Sequence, residues 1–193
     1  MKKCVLLIVG FLALVGCNNA SAEYESNLES ITSKIMDNSA NVEDVLNQYS
    51  AVWSYSISSD GAISLNEMMN LTGYDEEVIR EIFGLGNITS IPSDFSTNIY
   101  LLNSYHEESG ELTTIETVAE EIKEEMSEMN NPVQGYEEAY SELLDLYTYS
   151  EEFAGMALNP DGSLQSFTEN KDRLIRDITN AYNRIEVLKP NSN

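Results

Sequence analysis

Residues 24–57 read YESNLESITSKIMDNSANVEDVLNQYSAVWSYSI. Apolar side chains recur at intervals of three and four residues through this stretch, which is the spacing of one face of an α-helix. The recurring positions are Leu28, Ile31, Ile35, Val42, Val45, Tyr49, Val52 and Trp53. The spacing slips once, between Asn38 and Asn41. We therefore predict one long helix from about residue 24 to residue 57, with any bend at the slip and with Trp53 in the core.

The longest apolar pattern covers residues 94–129. Its phase continues through Gly110, and although glycine costs about 1 kcal/mol in a helix interior, packing can offset that cost. We therefore predict one long helix with a weak point at Gly110, ended by the Asn-Asn-Pro of residues 130–132. His106 lies in this segment and is followed by two glutamates, so we expect it at the surface or at the rim of the fold.

Further helices are predicted on both sides of that segment. Residues 65–83 read as two short helices, with Ser64 and Asp75 in position to cap them. Two more helices are expected, one after Pro132 and one over about residues 164–188. No segment shows the alternating pattern of a β-strand. The predicted fold class is all-α: an elongated antiparallel bundle of four to five helices, roughly 50 Å long.

The charge of the chain restricts its partners and its packing. The 193 residues include 33 acidic and 10 basic ones, a net charge of −23. Such a charge repels nucleic acid and anionic lipid head groups, so we expect no nucleic-acid partner. Residues 107–152 hold fifteen acidic residues and one lysine, whereas residues 163–193 are close to neutral. We predict that the C-terminal helix packs along residues 107–152, because an acidic hairpin needs a less acidic neighbour.

The N-terminus has the parts of an export signal. Two lysines precede an apolar run over residues 5–16, which covers roughly 18 Å and is too short to span a bilayer. The run closes with Leu-Val-Gly-Cys at residues 14–17. This tetrapeptide resembles the lipobox of bacterial lipoproteins, which implies cleavage before Cys17 and a thioether-linked diacylglycerol on that residue. Cleavage would remove Cys4, so no pair of cysteines would remain for a disulfide.

The resemblance implies a division of the chain and a location. Residues 1–16 are the lipoprotein signal peptide, residues 17–23 the lipidated cysteine and a polar spacer, residues 24–189 the helical bundle domain, and residues 190–193 a disordered tail. The mature protein is expected on the extracytoplasmic face of the cell membrane, held there by lipid, or on the outer membrane in a Gram-negative host. Loss of the two signal lysines lowers the net charge to −25.

Residues 56–67 resemble a degenerate EF-hand loop. Asp60 occupies the fifth position, Gly61 the sixth and Glu67 the twelfth, as in that motif. Ser56 and Ser58 stand where the first and third positions normally carry acidic ligands. The resemblance implies a weak calcium site at Ser56, Ser58, Asp60 and Glu67. The simpler interpretation, which we favour, is a turn followed by a helix N-cap.

Residues that carry catalysis are not recognisable in the sequence. It has no Gly-x-Ser-x-Gly, P-loop or His-Glu-x-x-His motif and a single histidine. We therefore expect no enzyme activity, no catalytic residue and no cofactor. Exposed tyrosines such as Tyr149 are candidates for a binding face, since tyrosine is enriched in protein interfaces.

Two further segments carry a resemblance. Residues 49–53 and 159–167, with the helix that follows, are similar to small helical lipoproteins of Gram-positive bacteria, which implies a fold and a location but no activity. Our first hypothesis is a non-enzymatic, lipid-anchored module that binds an envelope or phage protein at the outer face of the membrane. The alternative is an ion or small-ligand binder that uses the calcium-like loop at residues 56–67.

Overall fold

The structure is a computed structural model that describes the backbone of residues 13–190 and the side chains of residues 20–190. In chain order its elements are α1 (Ala13–Ser58), β1 (Ala62–Ser64), α2 (Leu65–Thr72), α3 (Glu76–Ile82), β2 (Ser90–Pro92), α4 (Phe95–Glu108), α5 (Glu111–Glu128), α6 (Glu137–Leu158) and α7 (Leu164–Leu188). The predicted all-α class is confirmed. Five helices form the bundle, and α2 and α3 are short additions at one end.

α1 is the central element, and it packs against α2, α4, α5, α6 and α7. The helix predicted over residues 24–57 is confirmed, and α1 also runs through residues 18–23, where we expected a spacer. Trp53 is buried, as expected. At the slip in the apolar pattern, Asn38 is buried and its amide donates a hydrogen bond of 3.3 Å to the carbonyl of Ile115. The slip is therefore a polar contact to α5 within a continuous helix.

The long segments of the bundle alternate in direction. α1 runs opposite to α4 and α5, since hydrogen bonds join Tyr24 to Met129 near one end and Tyr49 to Asn103 near the other. α6 runs in the same direction as α1, because Tyr49 also donates a hydrogen bond to Ala157 near the end of α6. Each connection between long segments therefore lies at one end of the bundle, as in an up-down-up-down fold.

α7 packs mainly against α6 and also against α1. Arg173 pairs with Glu152 at 2.6 Å, and Arg184 pairs with Glu142 at 2.6 Å, so α6 and α7 are antiparallel. The prediction that the C-terminal helix packs along residues 107–152 is confirmed for α6. α5, which also belongs to that acidic segment, packs against α1, α4 and α6.

The prediction of one helix over residues 94–129 is wrong, because the chain breaks at Gly110 into α4 and α5. Gly110 has a φ of 84°, a left-handed conformation that side chains other than hydrogen disfavour. The N–H of Ser109 donates to the carbonyl of Tyr105 at 2.8 Å and closes the last turn of α4. The apolar repeat keeps its phase across this break, so spacing alone did not reveal it.

α2, α3 and the two strands form a small layer beside the C-terminal end of α1. The two short helices were predicted, and Ser64 and Asp75 accept hydrogen bonds from first-turn N–H groups, as expected. β1 and β2 were not predicted, because no segment shows the alternating pattern of a strand. They pair in antiparallel register with Ile63 opposite Ile91, and both isoleucines are buried. Strands of three residues are too short to show an alternating pattern.

Several predictions about the chain ends lie outside the described residues. These are most of the signal peptide at residues 1–16, the side chain of Cys17, and the tail at residues 190–193 beyond Pro190. Over the part of the chain that the structure describes, no helix combines the length and the apolar character that a bilayer crossing requires.

Candidate functional site

An open cleft of about 550 Å³ lies at the end of the bundle where α1 terminates. Three segments form it: Trp53 of α1, residues 95–103 of α4, and the turn at residues 158–162 between α6 and α7. The segments meet because α4 starts at the end of the bundle where α1 and α6 finish. The volume lies within the range of about 300–1,000 Å³ that is common for ligand pockets.

Aromatic rings form the apolar wall of this aromatic cleft. Trp53, the single tryptophan of the chain, is 5% exposed and stacks on Phe95 with 5.8 Å between ring centroids and 8° between planes. Phe167 also packs against Trp53, with 5.6 Å between the ring centroids. Phe95 is 42% exposed and Tyr100 is 69% exposed. Two large exposed rings beside a buried one make a surface that an apolar side chain can cover.

A group of hydrogen bonds ties the cleft to the helices beneath it. The Asn103 amide donates to the hydroxyl oxygen of Tyr49 at 2.9 Å and to the carbonyl of Ala157 at 3.4 Å. These bonds join α1, α4 and α6 in one place. Burial raises the pKa of Tyr49, so its hydroxyl stays neutral and keeps its hydrogen bonds at physiological pH. The walls of the cleft are therefore positioned in advance of any ligand.

Asp161 is the only charged residue among the described side chains that line the cleft. It is exposed in the turn at residues 159–162, and Gly162 completes this turn with a φ of 89°. Within residues 20–190, no residue that lines the cleft is basic. The mouth of the cleft therefore combines an apolar wall with one negative charge.

The cleft is remote from the predicted point of lipid attachment. Tyr24 and Trp53 are 29 residues apart on α1, which at 1.5 Å per residue corresponds to roughly 44 Å. Cys17 lies still further toward the N-terminus. A ligand in the cleft would sit at the opposite end of α1 from Cys17.

The calcium-like loop departs from a ligand shell at its first two predicted positions, Ser56 and Ser58. Ser56 is 2% exposed, lies inside α1, and accepts a hydrogen bond of 3.1 Å from the amide of Asn98. Ser58 also belongs to α1, and its hydroxyl donates to a backbone carbonyl of the same helix at 3.1 Å. Asp60 is exposed, and Gly61 has a φ of 96°, so the turn predicted here is present.

Glu67, the fourth predicted calcium ligand, has partners within the protein. Its carboxylate accepts hydrogen bonds from the hydroxyl groups of Tyr55 and Ser64, at 3.0 Å for Ser64. Both bonds lower the pKa of Glu67, and the bond from Tyr55 has the larger effect. The contacts favour the interpretation of residues 56–67 as a turn followed by an N-cap, and no observation in the loop favours calcium.

His106 is fully buried, so the expectation of a surface or rim position is wrong. Its Nδ1 atom lies 2.5 Å from the carboxylate of Glu111, to which the Tyr74 hydroxyl also donates at 3.3 Å. The hydrogen bond from His106 lowers the pKa of Glu111, and burial raises the pKa of Tyr74 to about 12. The Nε2 atom has no hydrogen-bond partner within the described side chains. His106 follows Leu102 by four residues, and this spacing was the signal for burial.

The sequence did not single out Phe95, Tyr100 or Asp161. Tyr100 falls outside the apolar stripe of its helix, which was an available sign that it is exposed, whereas Phe95 precedes Ile99 by four residues and shares the stripe. Their meeting with Trp53 depends on which turn reaches which end of the bundle, and periodicity does not give that. Tyr149, expected to be exposed, is half-buried and does not line the cleft.

The cleft offers an aromatic wall, an amide and one carboxylate, which together can hold an apolar or cationic side chain. Across residues 20–190, no group of three or more His, Cys, Asp and Glu side chains is placed to hold a metal ion. Comparisons of the chain with protein-family models, with curated proteins and with solved structures give no significant match.

Proposed function

We propose that this chain is a lipid-anchored lipoprotein of the cell envelope, a non-enzymatic helical module that binds another protein at the outer face of the membrane. In this proposal Cys17 carries the lipid and the aromatic cleft is the binding surface. The lipobox-like residues 14–17 support the anchor. The cleft supports the binding role.

The observation that carries the binding role is the exposure of Phe95 and Tyr100 beside the buried Trp53. Aromatic side chains are enriched in protein interfaces, and grouped exposed apolar side chains mark interaction surfaces more often than single ones do. The location of this surface fits the anchor, because α1 would hold the cleft roughly 44 Å or more away from the lipid, within reach of other envelope proteins.

The anchor is tested by mass spectrometry of the protein purified from membranes of its host. We expect a mature N-terminus at Cys17 with the added mass of a diacylglycerol, and release of the Cys17→Ser variant from the membrane fraction. An unmodified Cys17 in the purified protein would contradict the anchor.

The binding role is tested by photo-crosslinking in living cells. A photoreactive amino acid in place of Tyr100 should give a discrete adduct with one envelope or phage protein, and excess unlabelled protein should suppress it. The matched control is the same replacement at Val187, an 82% exposed apolar residue near the other end of the bundle. Equal adducts at both positions, or none at Tyr100, would overturn the role of the cleft.

A further inference from the structure

We propose that the partner presents a cationic segment, with an apolar side chain against Trp53 and Phe95 and a lysine or arginine beside Tyr100 and Asp161. This inference rests on the proposed function and assigns the chemistry of its partner. The charges of the chain, the rings of the cleft and the competing occupants each bear on it.

Two acidic residues lie in the lining of the cleft or next to it in the chain. Asp161 lies in its lining, and Asp94 caps α4 immediately before Phe95. The backbone N–H of Thr97 donates a hydrogen bond to Asp94, and this bond is the main reason that the pKa of Asp94 is lowered. The carboxyl group is therefore ionised at neutral pH. A cationic segment entering the mouth meets the carboxylate of Asp161, and the described residues that line the cleft include no basic side chain.

Most basic side chains in the described part of the chain already have a partner of their own. Six of them form ion pairs within the chain: Lys34, Arg80, Lys123, Arg173, Arg184 and Lys189. Lys171 donates to the side chain of Asn47 at 2.7 Å. The surplus acidic charge of −23 attracts cationic proteins over a distance set by the ionic strength.

The exposed rings suit the same partner. The face of an aromatic ring attracts a cation through its quadrupole, and arginine and lysine use this interaction at protein surfaces. Tyr100 presents 69% of its surface, and Asp161 lies in the same lining. A guanidinium or ammonium group can then contact a ring and a carboxylate together, while its apolar neighbour covers Phe95.

Other occupants fit less well. A second copy of this chain would bring another −23 charges to the cleft, and nucleic acid or an anionic bilayer would meet the same repulsion. An acidic protein segment would place its carboxylates against Asp161. The observations therefore favour a basic protein segment.

The experiment uses Trp53 fluorescence, because the single tryptophan lies in the wall of the cleft. The purified chain is titrated with a short amidated peptide of alternating leucine and lysine, and with a leucine–glutamate peptide of the same length. We expect a saturable change in Trp53 emission with the lysine peptide alone. Asp161→Asn and Tyr100→Ala should each weaken that binding about two- to fivefold. The control substitution Glu124→Gln removes one charge from an exposed site on α5 and should leave the binding of the lysine peptide unchanged.

The outcomes separate the two proposals. Equal weakening by Glu124→Gln and Asp161→Asn would mean that net charge alone attracts the peptide, and it would overturn the cationic site. Binding of the glutamate peptide as tightly as the lysine peptide would overturn it as well. If neither peptide binds while the crosslink at Tyr100 forms in cells, the charge assignment fails and the proposed function stands. Far-ultraviolet circular dichroism checks that each variant is folded. We expect both cleft variants to fold, because Tyr100 and Asp161 are exposed.

Discussion

Replacing Phe95 with alanine should expose Trp53 at a moderate cost in stability. Phe95 is 42% exposed, so its burial stabilises the fold by about half of the 1.5–3 kcal/mol typical of a fully buried side chain. Loss of the stack on Trp53 adds about 0.5–1.5 kcal/mol. The total is about 2 kcal/mol, which lowers the melting temperature by about 4–8 °C in a chain of this length. Because the solvent then reaches the indole, Trp53 emission should move to longer wavelength.

The measurement combines thermal unfolding followed by circular dichroism with emission spectra at 25 °C. Phe167→Ala is the matched control, since Phe167 also contacts Trp53 but is buried, and we expect it to cost about 3–5 kcal/mol. If Phe95→Ala were as costly as Phe167→Ala, Phe95 would belong to the core and not to a free surface. An unchanged emission spectrum would show that Phe95 does not shield Trp53, and the description of the cleft wall would be wrong.

Three further predictions concern the backbone and titrating groups that are buried or half-buried. Gly110→Ala should lower the free energy of unfolding in urea by about 1–2 kcal/mol, because Gly110 has a φ of 84°. The control is Gly155→Ala, which lies in open space within α6 and should raise the free energy of unfolding by about 0.5–1 kcal/mol. Equal effects of the two substitutions would refute the role of the left-handed break at Gly110. The hydrogen bond from His106 lowers the pKa of Glu111, so the stabilisation by this carboxylate is present above its unfolded value near 4.5 and is lost as the pH falls through the folded pKa. The difference in stability between the native chain and Glu111→Gln should shrink below pH 4.5 in urea titrations, and a constant difference would contradict that hydrogen bond. Burial raises the pKa of Tyr24 and Tyr74 to about 12, so absorbance at alkaline pH should show phenols that ionise well above pH 10. The free energy of unfolding should fall as the pH rises from 10 through 12, because the unfolded chain loses these protons first. Titration of all tyrosines near pH 10 would refute the burial of Tyr24 and Tyr74.

Periodicity predicted the helices well, because burial of one helical face repeats at a fixed interval along the sequence. It failed at Gly110, where the apolar residues on either side keep the same phase although Gly110 itself has a left-handed conformation that ends α4. Glycine permits both a helix interior and a left-handed break, and the choice between them depends on the packing of α4 and α5 against α1. Caps were easier to predict, since Ser64 and Asp75 act within one turn of the chain.

The candidate site was less accessible to sequence reasoning. Trp53 was placed in the core correctly, but its stack on Phe95 joins residues that are 42 positions apart. His106 illustrates the opposite error, because the two glutamates after it suggested solvent while its own spacing from Leu102 placed it inside. Local charge and helical phase disagreed at His106, and the phase was the better guide because one face of α4 is buried by α1.

The position of the cleft and the charge of the chain bear on the same proposal. α1 is continuous from the region of Cys17 to the cleft, so a lipid at one end and a partner at the other would be held at a fixed separation by a single helix. The acidic surface disfavours lying flat on an anionic bilayer, which favours an orientation with the cleft directed away from it. The same charge favours a cationic segment in the cleft, and the hydrogen bonds of Asn103 hold the walls that such a segment would meet. Repulsion from the membrane and attraction of the partner would then have one physical source.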